Sequence, residues 1–235
     1  MTERSLNNIP DDVKKSVRES IGRIRADIGD SAVLMAATKT VPVEVINYAI
    51  TECGLSDIGE NRVQELLSKY DALEKEKVNL HFIGTLQANK VKYIVGKVCL
   101  IHSLDSVKLA EEISKRSLKI GTVTDCLCKV NIGNEEAKGG ISEDTVEEFI
   151  RQVSSLEGIR IRGIMVIGPH CENTDDYIPF FERTKSLFDS LAEKKLISDD
   201  PILSMGMSDN YALAVRYGST LVRPGSAIFG ARNYS

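Results

Sequence analysis

The stretch AVLMAAT (residues 32–38) is a short apolar run that leads directly into Lys39, and similar runs recur along the chain. The others are LSDIG (55–59), LHFIG (80–84), VCLIHSL (98–104), CLCKVNIG (126–133), IRGIMVI (161–167), ILSM (202–205) and TLVRPG (220–225). Nearly continuous apolar runs of this length are typical of parallel strands that are buried on both faces. The sequence therefore predicts eight buried strands.

Segments with helical character separate these runs. They span residues 42–53, 61–77, 87–95, 105–118, 142–156, 177–195 and 209–217. Several are followed by a glycine that can end a helix, and two begin at a candidate N-cap, so we expect boundaries at Gly54, Gly96, Gly158, Gly218, Asp105 and Ser142. Eight strands alternating with helices is the count of a (β/α)₈ barrel. A doubly wound open sheet also alternates, but the count of eight and the absence of GxGxxG after the first strand favour the barrel.

An additional helix precedes the first strand. Its apolar residues recur every three or four positions and form one stripe, made of Val13, Val17, Ile21, Ile24 and Ile28. Asp11 or Asp12 is a candidate N-cap, and Gly29 a candidate end. We find no repeat, linker or change in composition that would divide the chain. The predicted fold class is α/β, a single (β/α)₈ TIM barrel with an extra N-terminal helix, forming one domain over residues 1–235.

Composition limits the classes of function. The chain has 235 residues, 42% apolar and 27% charged, with a formal net charge of −4, which argues against general binding of nucleic acid or anionic membranes. No apolar stretch reaches the roughly 20 residues of a membrane span, and the N-terminus lacks the apolar core of a signal peptide. Five cysteines fit no disulfide or zinc pattern, and three scattered histidines weaken a metal site or a catalytic triad. We therefore expect a cytoplasmic protein.

Small and polar residues follow the predicted strands, at the end of a barrel where binding sites lie. Lys39 follows the first strand, so its stem should emerge from the barrel wall near the mouth. Partial desolvation favours the neutral amine, which can attack an aldehyde to form an imine. The alternative is an ordinary solvated lysine.

The segments after the seventh and eighth strands have the composition of an anion site. Gly206 and Gly225 allow close approach of backbone N–H groups, Ser208 and Ser226 add hydroxyls, and Arg223 adds a planar cation. Ser208 or Asp209 could instead be a simple helix cap. A lysine together with a phosphate cup describes a site for a phosphorylated aldehyde, and pyridoxal 5′-phosphate fits both requirements.

Several motifs resemble one known family. AATKT (36–40), IGENRVQE (58–65), HFIGTLQANK (81–90), VNIGNEEAKGG (130–140), SMGMSDN (204–210) and VRPGSAIFGAR (222–232) are similar to segments of the pyridoxal phosphate homeostasis proteins, which look like the barrel domain of alanine racemase. The resemblance runs from about residue 33 to the C-terminus. It implies that the cofactor lysine is Lys39, that Asn61 lies near the cofactor, and that the phosphate contacts are Met207, Ser208, Arg223, Gly225 and Ser226.

The resemblance also implies the function. Family members bind pyridoxal 5′-phosphate and help to regulate its supply, so we expect a Schiff base on Lys39 without robust catalytic turnover, in a monomer that exchanges cofactor with apoenzymes or amino acids. Asn210 and Pro224 depart from the common family pattern, and Pro224 cannot donate a hydrogen bond to phosphate.

Two alternatives stay open at this stage. A pyridoxal-phosphate-dependent amino-acid racemase would use the same imine, but alanine racemases add a β-rich second domain, and only six residues follow Phe229, so we expect no such domain here. A scaffold that binds no cofactor is the other alternative.

Overall fold

The computed structural model describes residues 9–133 and 139–230, and its central feature is a closed parallel sheet. The strands are β1 (Val33–Ala37), β2 (Asp57–Glu60), β3 (Asn79–Phe82), β4 (Leu100–Leu104), β5 (Thr124–Asn131), β6 (Ile141–Ser142), β7 (Ile159–Val166), β8 (Ile202–Ser204) and β9 (Leu221–Val222). Eight of them follow one another in parallel around a ring, and β9 pairs with β1 to close it. The predicted barrel is confirmed. β6 is an additional two-residue strand that pairs only with the end of β5.

Helices connect the strands around the outside. They are α1 (Asp11–Ile28), α2 (Val43–Thr51), α3 (Val63–Tyr70), α4 (Val107–Lys119), α5 (Val146–Val153), α6 (Ile178–Glu193), α7 (Tyr211–Arg216) and α8 (Ser226–Phe229). The predicted helix over 87–95 is a 3₁₀ helix at Ala88–Tyr93, and the one over 61–77 ends at Tyr70 before a 3₁₀ turn at Lys75–Lys77. Among the described helices none is long and apolar enough to cross a membrane.

Three of the predicted helix caps are wrong. Helix α1 begins after Pro10 without a side-chain cap. Asp11 and Asp12 lie in its first turn, where their negative charges interact favourably with the helix dipole. In α4 the cap is Ser106, whose hydroxyl accepts from the Leu109 N–H, so the prediction of Asp105 is off by one residue. Ser142 belongs to β6 instead of capping α5. Several polar residues lie near each of these starts, and local pattern does not select among them.

The predicted helix ends are mixed. Gly29 ends α1 in the left-handed region, with a φ of 53°, and its N–H donates to the Arg25 carbonyl. Gly158 does not end α5, which stops at Val153. A Cβ on Gly158 would lie 2.3 Å from the Ser114 carbonyl oxygen. A close approach between backbones therefore explains this glycine, and not a helix end.

The apolar stripe of α1 packs on the barrel's outer layer, against α2, α7 and α8. Val17, Ile21, Ile24 and Ile28 are buried, and Val13 is partly buried. Burying one such side chain contributes about 1.5–3 kcal/mol, so this helix is an integral part of the fold. It also forms one wall beside the barrel mouth.

The inside of the barrel is only partly apolar. Leu100, Leu127 and Met165 form a small internal cluster that is separate from the main core between strands and helices. Cys126 and Cys128 are part of the main core, where they pack as small apolar side chains. Burial raises the pKa of both thiols. Polar side chains occupy the rest of the interior, including His81 and His102, which are 4% and 0% exposed.

Candidate functional site

Two adjoining cavities lie at the carboxyl ends of the strands. The inner one, of about 440 Å³, is lined by residues that follow β2, β8 and β9, namely Asn61, Met207, Ser208, Asp209, Arg223, Gly225 and Ser226. The outer one, of about 600 Å³, lies between the β1–α2 loop, α1 and α8, and Lys39 is on its wall. Ala37, Gly225 and Ser226 line both cavities. All seven predicted site residues therefore lie on these walls, with Lys39 on the outer cavity only.

Lys39 stands just beyond the end of β1 and is half-buried. The preceding Thr38 is completely buried; its hydroxyl donates to Glu60 Oε1 at 2.8 Å, and its backbone N–H donates to the Gly59 carbonyl at 3.0 Å. Among the described residues no side chain or carbonyl forms a hydrogen bond or ion pair with the Lys39 ammonium. Thr38 thus anchors the loop, and the Lys39 amine has no competing partner there.

A partly buried group of three charged side chains holds the loop around Lys39. Lys69 Nζ donates to the Thr38 carbonyl at 2.9 Å, to Glu60 Oε1 at 2.8 Å and to Glu65 Oε1 at 2.8 Å. Glu65 Oε1 also accepts from the Thr40 N–H. Burial raises the pKa of Glu60, although its bonds with Lys69 and Thr38 act in the opposite direction. Glu60, Glu65 and Lys69 were not predicted as site residues from the sequence. The sequence did contain an indication of the Glu65–Lys69 pair, because these two residues have the i,i+4 spacing of an ion pair on a helix.

A side chain from another segment accepts hydrogen bonds from backbone N–H groups at the start of α8. Ser208 Oγ accepts hydrogen bonds from the Gly225 N–H at 3.0 Å and from the Ala227 N–H at 3.1 Å. Helix α7, the helix that follows them in sequence, has no side-chain cap bond, so neither Ser208 nor Asp209 caps it. Asn210 Oδ1 accepts from the Met207 N–H at 2.8 Å and shapes this turn. Ser208 and Gly225, two of the residues predicted to form the phosphate site, are thus in direct contact.

Arg223 is a buried cation in the wall of the inner cavity. Its Nη1 donates to Ser204 Oγ at 2.6 Å and its Nη2 donates to the Val166 carbonyl at 2.8 Å. Burial lowers the pKa of Arg223 to about 10, which leaves it charged at neutral pH. No carboxylate within the described part of the chain forms an ion pair with it. A buried positive charge without a carboxylate partner suits an anionic ligand.

Pro224 and Gly84 fix backbone at the site. The Pro224 carbonyl accepts from the Ala37 N–H at 2.9 Å and ties the segment after β9 to the end of β1. Gly84, after β3, packs so closely against the preceding loop that a Cβ would lie 1.9 Å from the Asn61 carbonyl oxygen. Asn61 therefore keeps its place on the inner wall only with glycine opposite it.

Two of the three histidines meet inside the barrel, although they are far apart in sequence. His81 Nδ1 lies 3.0 Å from His102 Nε2, His81 Nε2 lies 3.0 Å from Asp57 Oδ1, and His102 Nδ1 lies 3.1 Å from Ser204 Oγ. The description of the histidines as scattered was therefore wrong for this pair. Within the described residues no group of three or more metal-binding side chains forms a metal site.

Comparison with known proteins extends these observations. The family described as alanine racemase, N-terminal domain, matches residues 14–233. A protein of Aquifex aeolicus named pyridoxal phosphate homeostasis protein is 46% identical over 211 residues, which are 89% of this chain and 92% of that protein. A protein of the same name from Schizosaccharomyces pombe is 35% identical and covers 92% of this chain and 93% of its own length.

Solved structures agree with the fold. PipY of Synechococcus elongatus, in a structure with PLP bound, is 29% identical with a TM-score of 0.83, covering 91% of this chain and 100% of PipY. Alanine racemase from Streptomyces coelicolor is 16% identical with a TM-score of 0.74, and the match covers 93% of this chain but 59% of the racemase. The second likeness concerns the barrel alone.

Proposed function

Because this chain belongs to the alanine racemase N-terminal domain family and, within it, to the pyridoxal phosphate homeostasis proteins, we propose that it binds pyridoxal 5′-phosphate and helps to regulate the supply of that cofactor. The observation that carries the proposal is the pairing of the two cavities. The Lys39 amine, which has no hydrogen-bond partner among the described residues, lines one cavity. The buried Arg223, which forms no ion pair with a carboxylate of residues 9–133 or 139–230, lines the other, and Gly225 and Ser226 border both.

The residues present fit the group. Arg223 and the hydroxyls of Ser208 and Ser226 lie on the wall of the inner cavity, which is where a phosphate would bind. The amides of Gly225 and Ala227 donate to Ser208 Oγ and hold that side chain in place. Asp209 also lines this cavity, but it is exposed, so solvent screens its charge. Ile83, Met165 and Ile167 supply the apolar surface that a planar ring requires.

Lys39 is the proposed attachment point. When bound, the cofactor supplies an aldehyde, with which a neutral amine condenses to a Schiff base and releases one water molecule. Thr38, Glu65 and Lys69 hold the backbone on either side of Lys39, so its side chain stays on the wall of the outer cavity. Because the Lys39 amine has no partner in the part of the chain that the structure describes, no hydrogen bond to those residues has to be broken before it reacts.

We propose a carrier without catalytic turnover. Racemisation is most effective with proton carriers on both faces of the substrate, and among the described residues that line the cavities only Lys39, Glu44, Asp209 and Arg223 are titratable. Glu44 lines the same outer cavity as Lys39. Neither the Arg223 guanidinium nor the exposed Asp209 carboxylate is suited to accept a proton from carbon. Incubation of the loaded protein with L-alanine in D₂O tests this. Deuterium at Cα would favour the racemase.

The remaining parts of the proposal concern the whole protein. We propose one domain over residues 1–235, a monomer in the cytoplasm that delivers cofactor to apoenzymes or releases it to amino acids. An imine suits this role because another amine displaces the lysine and removes the aldehyde from the protein without leaving it in solution.

The test is chemical trapping. The protein is incubated with pyridoxal 5′-phosphate, reduced with borohydride and digested, and the modified peptide is identified by mass spectrometry. We expect the adduct on Lys39 and its loss in Lys39→Ala. Lys90→Ala, which removes a half-buried lysine outside both cavities, should retain it. An adduct on another lysine, or none at all, would refute the assignment.

A further inference from the structure

A continuous series of hydrogen bonds crosses the barrel interior from one end to the other. It runs from Asp57, the first residue of β2, through His81 on β3 and His102 on β4 to Ser204, the last residue of β8. Ser204 then accepts from Arg223 at the inner cavity. β4 and β8 are not neighbours in the ring, because β5 and β7 lie between them, so the His102–Ser204 contact crosses the interior.

The direction of these bonds follows from Arg223. Its guanidinium can only donate, so Ser204 Oγ accepts there and its own proton is available for His102 Nδ1. His102, accepting at Nδ1, carries its proton on Nε2 and donates to His81 Nδ1. His81 then carries its proton on Nε2 and donates to the Asp57 carboxylate. Every link is satisfied with both imidazoles neutral.

The opposite direction fails on two links. If His102 donated from Nδ1, Ser204 would accept two hydrogen bonds, and its hydroxyl proton would have no acceptor among the described residues. His81 would then need protons on both nitrogens to bond His102 and Asp57 together. That adds a second buried positive charge on the path to Arg223, which is costly in an enclosed interior.

The charges at the two ends complement each other. Burial alone would raise the pKa of Asp57, but hydrogen bonds from His81, Ser56 and Asn79 outweigh it and hold that pKa below its usual value. Burial, and to a smaller extent the charge of Arg223, lowers the pKa of His102 well below its usual value. A carboxylate at one end and a guanidinium at the other are thus linked by neutral groups whose N–H and O–H bonds all point toward the carboxylate.

We propose that Asp57, His81, His102 and Ser204 are positioning residues that orient the Arg223 guanidinium toward the ligand in the inner cavity. The inference rests on the proposed function, since it assigns these residues to that ligand's site. The bonds to Ser204 and Val166 use two of the five N–H donors of the guanidinium and leave the other three for a ligand. The series does not carry protons to the ligand, because it ends on an arginine that stays protonated.

The first test is nitrogen NMR of the wild-type protein, which has three histidines in all. His170, on an exposed loop, is assigned by comparison with His170→Asn. At neutral pH we expect His81 and His102 to carry the proton on Nε2 and not on Nδ1, with a coupling across the hydrogen bond between the two rings. A proton on Nδ1 of either ring would overturn the inferred direction.

The second test compares two buried serines on strands. Ser204→Ala interrupts the series, whereas Ser103→Ala removes a buried hydroxyl that has no hydrogen-bond partner among the described residues. Because hydrogen bonds to charged groups are strong, Ser204→Ala should weaken the affinity for pyridoxal 5′-phosphate by about tenfold. Ser103→Ala should bind like the wild type. Asp57→Asn, which keeps an acceptor for His81 but removes the charge, should bind between the two.

The outcomes are distinguishable from failure of the proposed function. If the wild-type protein binds pyridoxal 5′-phosphate and the Ser204→Ala and Ser103→Ala variants bind it with equal affinity, the positioning role alone is overturned. A wild-type protein that binds no pyridoxal 5′-phosphate would overturn the proposed function, and this inference with it. The NMR measurement needs no ligand, so it tests the direction of the bonds even if Ser204→Ala fails to fold.

Discussion

The backbone N–H of Thr40 donates to the carboxylate of Glu65, which lies on the helix after the next strand. Thr40 has a φ of 66°, in the left-handed region that costs a non-glycine residue about 1–2 kcal/mol. The Glu65 bond offsets this strain and fixes the residue next to Lys39. The position of the Lys39 amine therefore depends on a side chain 25 residues away in sequence.

Glu65→Ala should lower the fraction of protein that traps pyridoxal 5′-phosphate on Lys39, because Thr40 can then relax to negative φ and move the loop. The measurement is the yield of borohydride-reduced adduct at a fixed subsaturating concentration. Adding Thr40→Gly should restore part of the yield, since glycine adopts positive φ without strain. Glu111→Ala, on an exposed face of α4, is the matched control and should react normally. An unchanged yield in Glu65→Ala would contradict the anchoring role.

Glu60 and Asp57 should affect stability with opposite dependence on pH. The pKa of Glu60 is raised in the folded protein, so its contribution is most favourable below the unfolded value of about 4.3 and declines as pH rises through the folded value. The pKa of Asp57 is lowered, so its contribution is present above about 3.9 and is lost as pH falls through the folded value.

Chemical denaturation of Glu60→Gln, Asp57→Asn and wild type over a pH series measures both effects. As pH rises from acid to neutral, the free energy of unfolding of Glu60→Gln should gain on that of wild type. That of Asp57→Asn should fall behind. Parallel pH curves for wild type and either variant would show that the carboxyl concerned has the same pKa in both states.

Gly84→Ala should weaken cofactor binding by displacing Asn61. A Cβ at this position meets the Asn61 backbone at 1.9 Å, and backbone cannot yield as a flexible side chain does. Gly22→Ala is the control, because a Cβ on that glycine meets nothing within 4 Å. Equilibrium binding of pyridoxal 5′-phosphate measures the effect, and equal affinity in the two variants would remove Asn61 from the site.

Ile24→Ala in α1 should destabilise the protein by about 2–5 kcal/mol, because it leaves a cavity under a fully buried side chain. Ile120→Ala is the matched control, since Ile120 is 57% exposed and its removal should change stability by less than about 0.5 kcal/mol. The midpoint of urea unfolding measures both. Similar midpoints would mean that α1 contributes little to the folded core.

Much of the architecture could be predicted because buried strands and helix faces require apolar residues at regular, closely spaced positions in the sequence. A strand such as Val33–Ala37 lies in a closed sheet covered by helices, so it reads as an apolar run wherever it occurs. The polar residues that follow such runs belong at the mouth, which placed Lys39, Ser208 and Gly225 correctly on the cavity walls. Helix starts were less predictable, and Asp105 was chosen where Ser106 is the cap, because adjacent polar residues are equivalent in sequence.

The amino-acid sequence by itself determined the order of strands and helices, the closed barrel and the end at which its polar residues collect. Only the tertiary structure decided that Asp57, His81, His102 and Ser204 meet inside it, and that Lys39 and Arg223 face different cavities. The physical reason is range: hydrophobic periodicity is a property of neighbouring residues, whereas hydrogen bonds across a barrel join atoms that closure of the sheet brings together.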